Sequence, residues 1–281
     1  MEWYQETLYP DIGQSFRMAR VIHRVKTEHQ DLVIFENRKM GRILALDGVI
    51  QTTEGDEFFY HEMMGHVPIF AHGRARRVLI IGGGDGGLLE EVLKHKSVER
   101  VVMVEIDPFV INLCKKYLPS IPKKAFEDKR AEIVIADGAK YVAETSERFD
   151  VIMIDSTDPI GPGEVLFRPE FYANCKRCMN PGGVLVNQNG VPYFQAEELT
   201  TTWRRLKKLF ADVTFYGVPV PSYYGSFMTL GWASLDGKAR ATPRAAIERR
   251  VKAAKIGMRY YNADIHAGCF ALPNYIRSLL K

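Results

Sequence analysis

The sequence predicts an α/β fold in which a small N-terminal β domain precedes a doubly wound α/β domain. From Arg76 onward, near-continuously apolar strands alternate with helices, a pattern typical of a mostly parallel sheet covered on both faces. The first of these strands runs into the glycine-rich turn GGGDGG at residues 82–87. Before residue 70 the chain instead consists of β-rich runs divided by polar turns.

The N-terminal domain, residues 1–70, is expected to contain strands and one linking helix. Runs at residues 16–28, 30–37 and 41–53 predict the strands, with a hairpin signal at Leu46-Asp47-Gly48. The helix is expected to begin near Asp56 and to end before Pro68, because proline removes a helical hydrogen-bond donor.

The second domain, residues 71–281, should alternate between strand and helix. The predicted strands lie at residues 76–84, 99–107, 131–138, 149–158 and 183–190, and the predicted helices at 86–95, 108–118, 139–146 and 169–179. Residues 212–220 and 226–235 can pair as an antiparallel hairpin at the sheet edge. From Pro243 the C-terminal part is expected to be helical and basic.

Composition argues against nucleic-acid and membrane partners. The net charge is +4 over 281 residues, and the basic residues are scattered among acidic and apolar ones. No run approaches the ~20 apolar residues of a membrane span, and the N-terminal segment does not resemble a signal peptide. Four cysteines in a chain of this size indicate reduced thiols and a cytoplasmic protein. The single Cys175-x-x-Cys178 pair has no second pair to complete a zinc site.

Acidic residues stand at the carboxyl ends of the predicted strands, where doubly wound sheets bind their ligands. These strand-end acids are Asp85, Glu105, Asp107, Asp137, Asp155 and Asp158. Glu105 follows the glycine turn by about 20 residues, the expected position for an acid that accepts hydrogen bonds from ribose. Asp137-Gly138 could accept from an adenine amino group or could simply form a turn.

Asp85, Asp155 and Asp158 are too many acids for a pyrophosphate ligand, because like charges in a partly dry cleft repel by several kcal/mol. Each could instead serve as a helix or turn cap. Three at the mouth of one sheet favour a ligand whose nucleoside half uses the glycine turn and whose other half is positively charged.

Metal and covalent chemistry are not indicated. His61 and His66 are five residues apart, about 140° around a helix, so one face cannot present both to a metal. No G-x-S-x-G motif is present, and no loop cysteine stands beside a base. Direct transfer between two bound substrates is therefore expected.

Five motifs resemble those of the spermidine synthases, the polyamine aminopropyltransferase family. They are IIGGGDGG, MVEID, DSTDPIGPGE, DGVIQTTEGDEFFYHEMM and PSYYGS, and the similarity extends over essentially the full chain. The resemblance implies a methyltransferase-like Rossmann domain after the β domain. It also implies transfer of the aminopropyl group of decarboxylated S-adenosylmethionine to putrescine, giving spermidine and methylthioadenosine.

The resemblance also assigns roles. Asp155 and Tyr60 correspond to the catalytic residues, with Asp155 as the proton acceptor. The donor site corresponds to Gln30, Gly82, Gly83, Asp85, Glu105, Asp137, Gly138 and Pro162, with Asp85 as the partner of the aminopropyl ammonium. The amine site corresponds to Gln51, Tyr60, His61, Asp85, Asp155, Ser156, Thr157, Asp158 and Tyr223. No cofactor or metal is implied, and a homodimer or homotetramer is expected.

Several questions stay open at this point. A methyltransferase on the same fold would have to accommodate a substrate carboxylate beside Asp85, and a silent binding protein would not need Asp155 and Tyr60. The segment 156–167 mixes prolines and glycines and is expected to act as a gate. The stretch QNGVPYF, residues 188–194, offers no acid for the far amine of the acceptor, so the acceptor's length is undecided.

Overall fold

The N-terminal region forms two small antiparallel sheets. The computed structural model describes residues 2–158 and 161–281. The N-terminal strands are β1 (Trp3–Gln5), β2 (Ser15–Arg17), β3 (Arg20–Lys26), β4 (Asp31–Asn37), β5 (Gly41–Leu46) and β6 (Val49–Thr53). β1 pairs with β2, and β3 to β6 form a four-stranded meander. One expectation was wrong: residues 16–28 are not one strand, because β2 pairs with β1 whereas β3 pairs with β4.

Helix α1 (Glu57–His72) links the two regions and passes through Pro68, so its predicted end before that proline was wrong. The helix ends instead at Gly73, whose left-handed backbone (φ 74°) suits a glycine. Residues 60–71 are all buried against α2 and the large sheet, and this packing outweighs the hydrogen bond that proline removes. The domain boundary at residue 70 stays a prediction.

The second region alternates as expected. Its strands are β7 (Arg77–Gly82), β8 (Arg100–Glu105), β9 (Ala131–Ile135), β10 (Phe149–Asp155), β11 (Met179–Gln188), β12 (Asp212–Val220) and β13 (Ser226–Ser234). Its helices are α2 (Gly87–Leu93), α3 (Pro108–Tyr117), α4 (Gly138–Glu144), α5 (Pro169–Arg177), α6 (Ala196–Lys207), α7 (Arg244–Ala254), α8 (Ala263–Gly268) and α9 (Asn274–Leu279). Short 3₁₀ turns span Ala125–Glu127 and Gly161–Phe167.

The large sheet has the order β12-β13-β11-β10-β7-β8-β9. β11, β10, β7, β8 and β9 are parallel, and the β12–β13 hairpin adds antiparallel strands at one edge. The chain winds outward from β7 through β8 to β9, then returns to the other side of β7 as β10. The strand order therefore switches between β7 and β10, the position at which such sheets open a ligand crevice. This Rossmann-like architecture confirms the predicted fold class.

The core follows the two faces of this sheet. Strand residues alternate between a cluster under α1 and α2, which includes Val78 and Ile80, and a cluster under α4 and α5, which includes Leu79 and Ile81. No helix in residues 2–158 and 161–281 is both long enough and apolar enough to cross a membrane.

Candidate active site

A cavity of about 400 Å³ opens where β7 and β10 lie side by side. Its walls come from the N-terminal sheets, from the start of α1, from the ends of the parallel strands and from the loop before β13. Most of the predicted site residues line it: Gln30, Gln51, Tyr60, His61, Gly82, Gly83, Asp85, Glu105, Asp155, Ser156, Thr157, Asp158 and Tyr223. The cavity therefore brings together residues that are up to almost 200 positions apart in sequence.

Asp155 and Tyr60 form a hydrogen-bonded pair in this cavity. The Tyr60 hydroxyl donates to Asp155 Oδ1 over 2.7 Å. Burial first, and then the Asp155 charge, hold the pKa of Tyr60 well above its usual range, so Tyr60 stays a donor. Burial and the neighbouring Asp85 raise the pKa of Asp155 to about 6. A carboxylate with a pKa closer to neutrality is better matched to accepting a proton.

The glycine turn holds the end of β10 in place. Gly82 is the register partner of Asp155, and the Gly83 N–H donates to the Asp155 carbonyl oxygen over 2.9 Å. A Cβ at Gly82 would clash with that carbonyl, and one at Gly83 would press on the Asp155 carboxylate. Both glycines have positive φ, 84° and 71°. These positions need glycine because the backbone of Asp155 approaches so closely.

Asp85 forms a turn before α2 and is also the partner of a histidine. Its Oδ1 accepts from the Gly87 N–H over 2.8 Å, so one of its oxygens serves the turn, while the N-cap residue of α2 is Gly86. Its Oδ2 lies 3.4 Å from His61 Nε2, and His61 Nδ1 lies 2.7 Å from Glu57 Oε2. Each ring nitrogen thus faces a carboxylate oxygen, an arrangement in which only the imidazolium can donate at both ends.

The pKa shifts agree with this charge assignment. Burial alone would lower the pKa of His61, but Asp85 and Glu57 together hold it well above its usual range. Burial would raise the pKa of Asp85, but His61 and the Gly87 N–H bring it below its usual value. Asp85 therefore stays ionised beside a cation, and its attraction for a second cation is partly offset.

The cavity wall beside the glycine turn carries Glu105, and Gln30 lines the cavity as well. Glu105 Oε1 accepts from the Asp107 N–H over 2.9 Å, and burial raises the pKa of Glu105 to about 7. The Gln30 side chain donates to Asp107 Oδ2 over 3.0 Å, and Asp107 Oδ1 caps α3. Asp107 is thus a structural acid that ties β4 to α3, whereas Glu105 lines the cavity.

The predicted adenine pocket is only partly visible. Asp137 is exposed and does not line the cavity in the described part of the chain, since its Oδ1 caps α4 through the Ala139 and Lys140 N–H groups. Gly138 is buried, and a Cβ there would clash with Ile81 and touch Leu166, which does line the cavity. The side chain of Pro162 lies outside the described residues, as do residues 159 and 160 of the expected gate. These assignments stay predictions.

The far end of the cavity is built from amides, hydroxyls and acids. Gln188 Nε2 donates to Asp158 Oδ1 over 2.9 Å, and the Tyr223 hydroxyl donates to the Gln51 carbonyl. Sequence reasoning missed three acids in and around the cavity. Glu6 lines it and accepts from the Ile50 N–H over 2.9 Å, Glu57 supports His61, and Glu198 lies behind Gln195.

The Cys175-x-x-Cys178 pair does not line this cavity. Cys175 is on α5 and Cys178 directly follows it, both buried in the core. Within residues 2–158 and 161–281, no three His, Cys, Asp or Glu side chains are grouped as metal ligands. The expectation of a metal-independent enzyme stays a prediction.

Comparisons with known proteins agree with this geometry. A family model described as the spermine/spermidine synthase domain matches residues 57–242, and one described as the spermidine synthase tetramerisation domain matches residues 2–54. The chain is 59% identical over 276 residues to polyamine aminopropyltransferase 1 of Pseudomonas aeruginosa. The aligned region covers 98% of this chain and 96% of that protein. It is 56% identical over 276 residues, with the same coverage, to the polyamine aminopropyltransferase of Pseudomonas syringae pv. tomato.

Solved structures give the same picture. A crystal structure of spermidine synthase in complex with the transition-state analogue AdoDATO superposes with a TM-score of 0.94 and 40% identity, covering 99% of this chain and 94% of that one. Spermidine synthase from Thermotoga maritima superposes with a TM-score of 0.91, 38% identity and the same coverage. The fold is thus that of the aminopropyltransferases. The chain belongs to the spermine/spermidine synthase family.

Proposed function

We propose that this enzyme transfers the aminopropyl group of decarboxylated S-adenosylmethionine to putrescine, giving spermidine and methylthioadenosine. The observation that carries the proposal is the charge of the cavity wall. Among the described residues that line it, acids are abundant and neither lysine nor arginine occurs. Such a wall suits a diammonium acceptor and a donor that bears a sulfonium and an ammonium but no carboxylate.

Asp155 would serve as the base of a direct displacement. An alkyl ammonium has a pKa near 10.4, so exposing its lone pair at pH 7 costs roughly 4–5 kcal/mol. Asp155 takes the proton as the C–N bond forms, and Tyr60 holds the carboxylate through Oδ1. The leaving group is a neutral thioether, so the displacement needs no Lewis acid for a developing anion.

Glu105, the glycine turn and Gln30 would hold the nucleoside, while Asp85 would face the aminopropyl ammonium. A methyltransferase would have to place a substrate carboxylate in the same acidic corner. Putrescine is the proposed acceptor because two solved relatives are named spermidine synthase. Cadaverine, agmatine and spermidine are the alternative acceptors.

The match to a tetramerisation domain supports a homo-oligomer, a homodimer or homotetramer, and we expect a cytoplasmic location. The proposed function is tested by incubating the enzyme with labelled decarboxylated S-adenosylmethionine and each diamine in turn. Formation of labelled spermidine and methylthioadenosine fastest with putrescine would support it. Methyl transfer, or binding without turnover, would contradict it.

A further inference from the structure

Glu198 is an acid whose partners in the structure are amides. It lies in the first turn of α6, where Oε1 accepts from Asn189 Nδ2 over 2.9 Å and Oε2 accepts from Gln195 Nε2 over 3.2 Å. No ion pair among the described residues includes it. Acids with little access to water are usually paired with a cation, so the absence of one here calls for an explanation.

Gln195 connects Glu198 to the cavity. Its Oε1 accepts from the Tyr9 hydroxyl over 2.9 Å and from the Val191 N–H over 2.8 Å. Because the Val191 N–H can only donate, the Gln195 amide must direct Oε1 towards it and Nε2 towards Glu198. Gln195 lines the cavity beside Gln188 and Asp158, whereas Glu198 itself does not. Glu198 therefore acts on the cavity through Gln195.

The groups around Glu198 supply no positive charge. The titratable side chains that face it are Asp158, Tyr9 and Tyr172, which are acidic or neutral. Burial first, and then the Asp158 charge, raise the pKa of Glu198 to about 8, and burial also raises the pKa of Asp158. A cation arriving beside Asp158 would offset the repulsion from the Asp158 charge and attract the Glu198 carboxylate, which favours loss of its proton.

We propose that Glu198 is a positioning residue for the far end of the amine cavity, where it orients the Gln195 amide against Asp158 and becomes a second negative charge once an ammonium group is bound there. The proposal rests on the proposed function, because it needs an acceptor with ammonium groups at both ends. Residues 188–194 contain no acid that could bind the far amine of the acceptor. Under this proposal the negative charge comes instead from Glu198 on α6, which is connected to the cavity by the Gln195 amide.

The obvious alternative is a structural one, in which Glu198 merely stabilises the N-terminus of α6 through the helix dipole. The chain offers a matched control in Glu197, the exposed neighbour in the same helical turn. Glu197→Gln makes the same side-chain change in the same turn of the helix. It should leave the kinetics unchanged if the role of Glu198 is specific.

The test compares putrescine with butylamine, which lacks the far ammonium, in wild type, E198Q and E197Q. We expect E198Q to raise the KM for putrescine about tenfold or more, as for loss of a charge that supports an ammonium. The KM for butylamine and for the donor should stay within about twofold. Calorimetry of putrescine binding to enzyme saturated with methylthioadenosine, in two buffers of different ionisation enthalpy, should show fewer protons released by E198Q than by wild type.

Gln195→Met serves as a second variant and keeps the test decisive if E198Q folds poorly. It should reproduce the selective loss for putrescine, and the double variant should lose little more, because both changes break one connection. Equal effects on putrescine and butylamine, an unchanged KM for putrescine, or the same loss in E197Q would overturn the proposal. Failure of wild type to use either amine would instead refute the proposed function.

Discussion

Replacing Asp155 with asparagine should lower activity and raise stability at the same time. The amide keeps an oxygen that can accept from Tyr60, so the geometry at Oδ1 is preserved while the base is lost. We expect kcat to fall by at least about 100-fold, the usual range for removal of a general base, with little change in donor binding.

The stability gain can be worked out from the pKa. The folded protein raises the pKa of Asp155 from 3.8 to about 6, so the folded state binds this proton more tightly than the unfolded state does. The ionised carboxylate therefore lowers the free energy of unfolding. This loss develops as the pH rises from about 4 to about 6, and it reaches about 3 kcal/mol above that range. At pH 7 the asparagine variant should be more stable by up to that amount, and near pH 4 the difference should vanish.

The assay combines steady-state kinetics with denaturant unfolding at pH 4 to 8. Asp150→Asn, at the opposite end of the same strand, is a suitable control. Asp150 accepts from the Arg76 and Arg77 N–H groups, and its pKa is lowered despite burial, so its loss should reduce stability at pH 7 and leave kcat unchanged. Wild-type turnover by the Asp155 variant would refute the base assignment, and an unfolding free energy without the predicted pH dependence would refute the desolvation argument.

Three further outcomes are expected. The kcat/KM of wild type should fall as the pH is lowered, with an apparent pKa near 6. Tyr60→Phe should shift this fall to higher pH, because the Tyr60 hydrogen bond lowers the pKa of Asp155. A pH profile unaffected by the variant would contradict this. Asp85→Asn should reduce the ratio of affinities for decarboxylated over intact S-adenosylmethionine by about tenfold. This is less than an isolated charge would give, because His61 lies 3.4 Å from Asp85. Calorimetry with both donors checks this, and equal binding of the two by wild type would refute the charge argument. Activity should survive EDTA and full reduction of the cysteines, and loss on chelation that added metal restores would show a metal requirement.

The strand-end acids show how much of the site the sequence predicts. The alternation of strands and helices places the ends of β7 and β10 in one crevice, so Asp85, Asp155 and Asp158 could be expected together. The same reasoning could not separate ligand-facing acids from caps. Asp107 and Asp137 follow their strands in the same way, yet each is the N-cap of the next helix, and neither lines the cavity in the described part of the chain.

Residues recruited from distant elements could not be predicted. Tyr9 and Gln195 are 186 positions apart, and their hydrogen bond joins the loop between β1 and β2 to the residue before α6. The pairing of Glu57 with His61 is different, since a spacing of four on a helix is a readable signal. The same helix therefore carries a sequence signal for a histidine supported by an acid, as well as the spacing that excludes a metal pair.

The glycine turn and Asp155, the proposed base, also form a single unit for anyone who wishes to redesign this enzyme. Gly82 and Gly83 leave no room for a side chain next to Asp155, and the Gly83 N–H holds its carbonyl. A turn grafted from a dinucleotide-binding protein would displace the base along with the donor, even if every other residue were kept. We expect variants that accept new donors to carry substitutions in the surrounding cavity walls, for example at Gln30 or Leu166. Libraries that randomise the turn should yield mostly inactive protein.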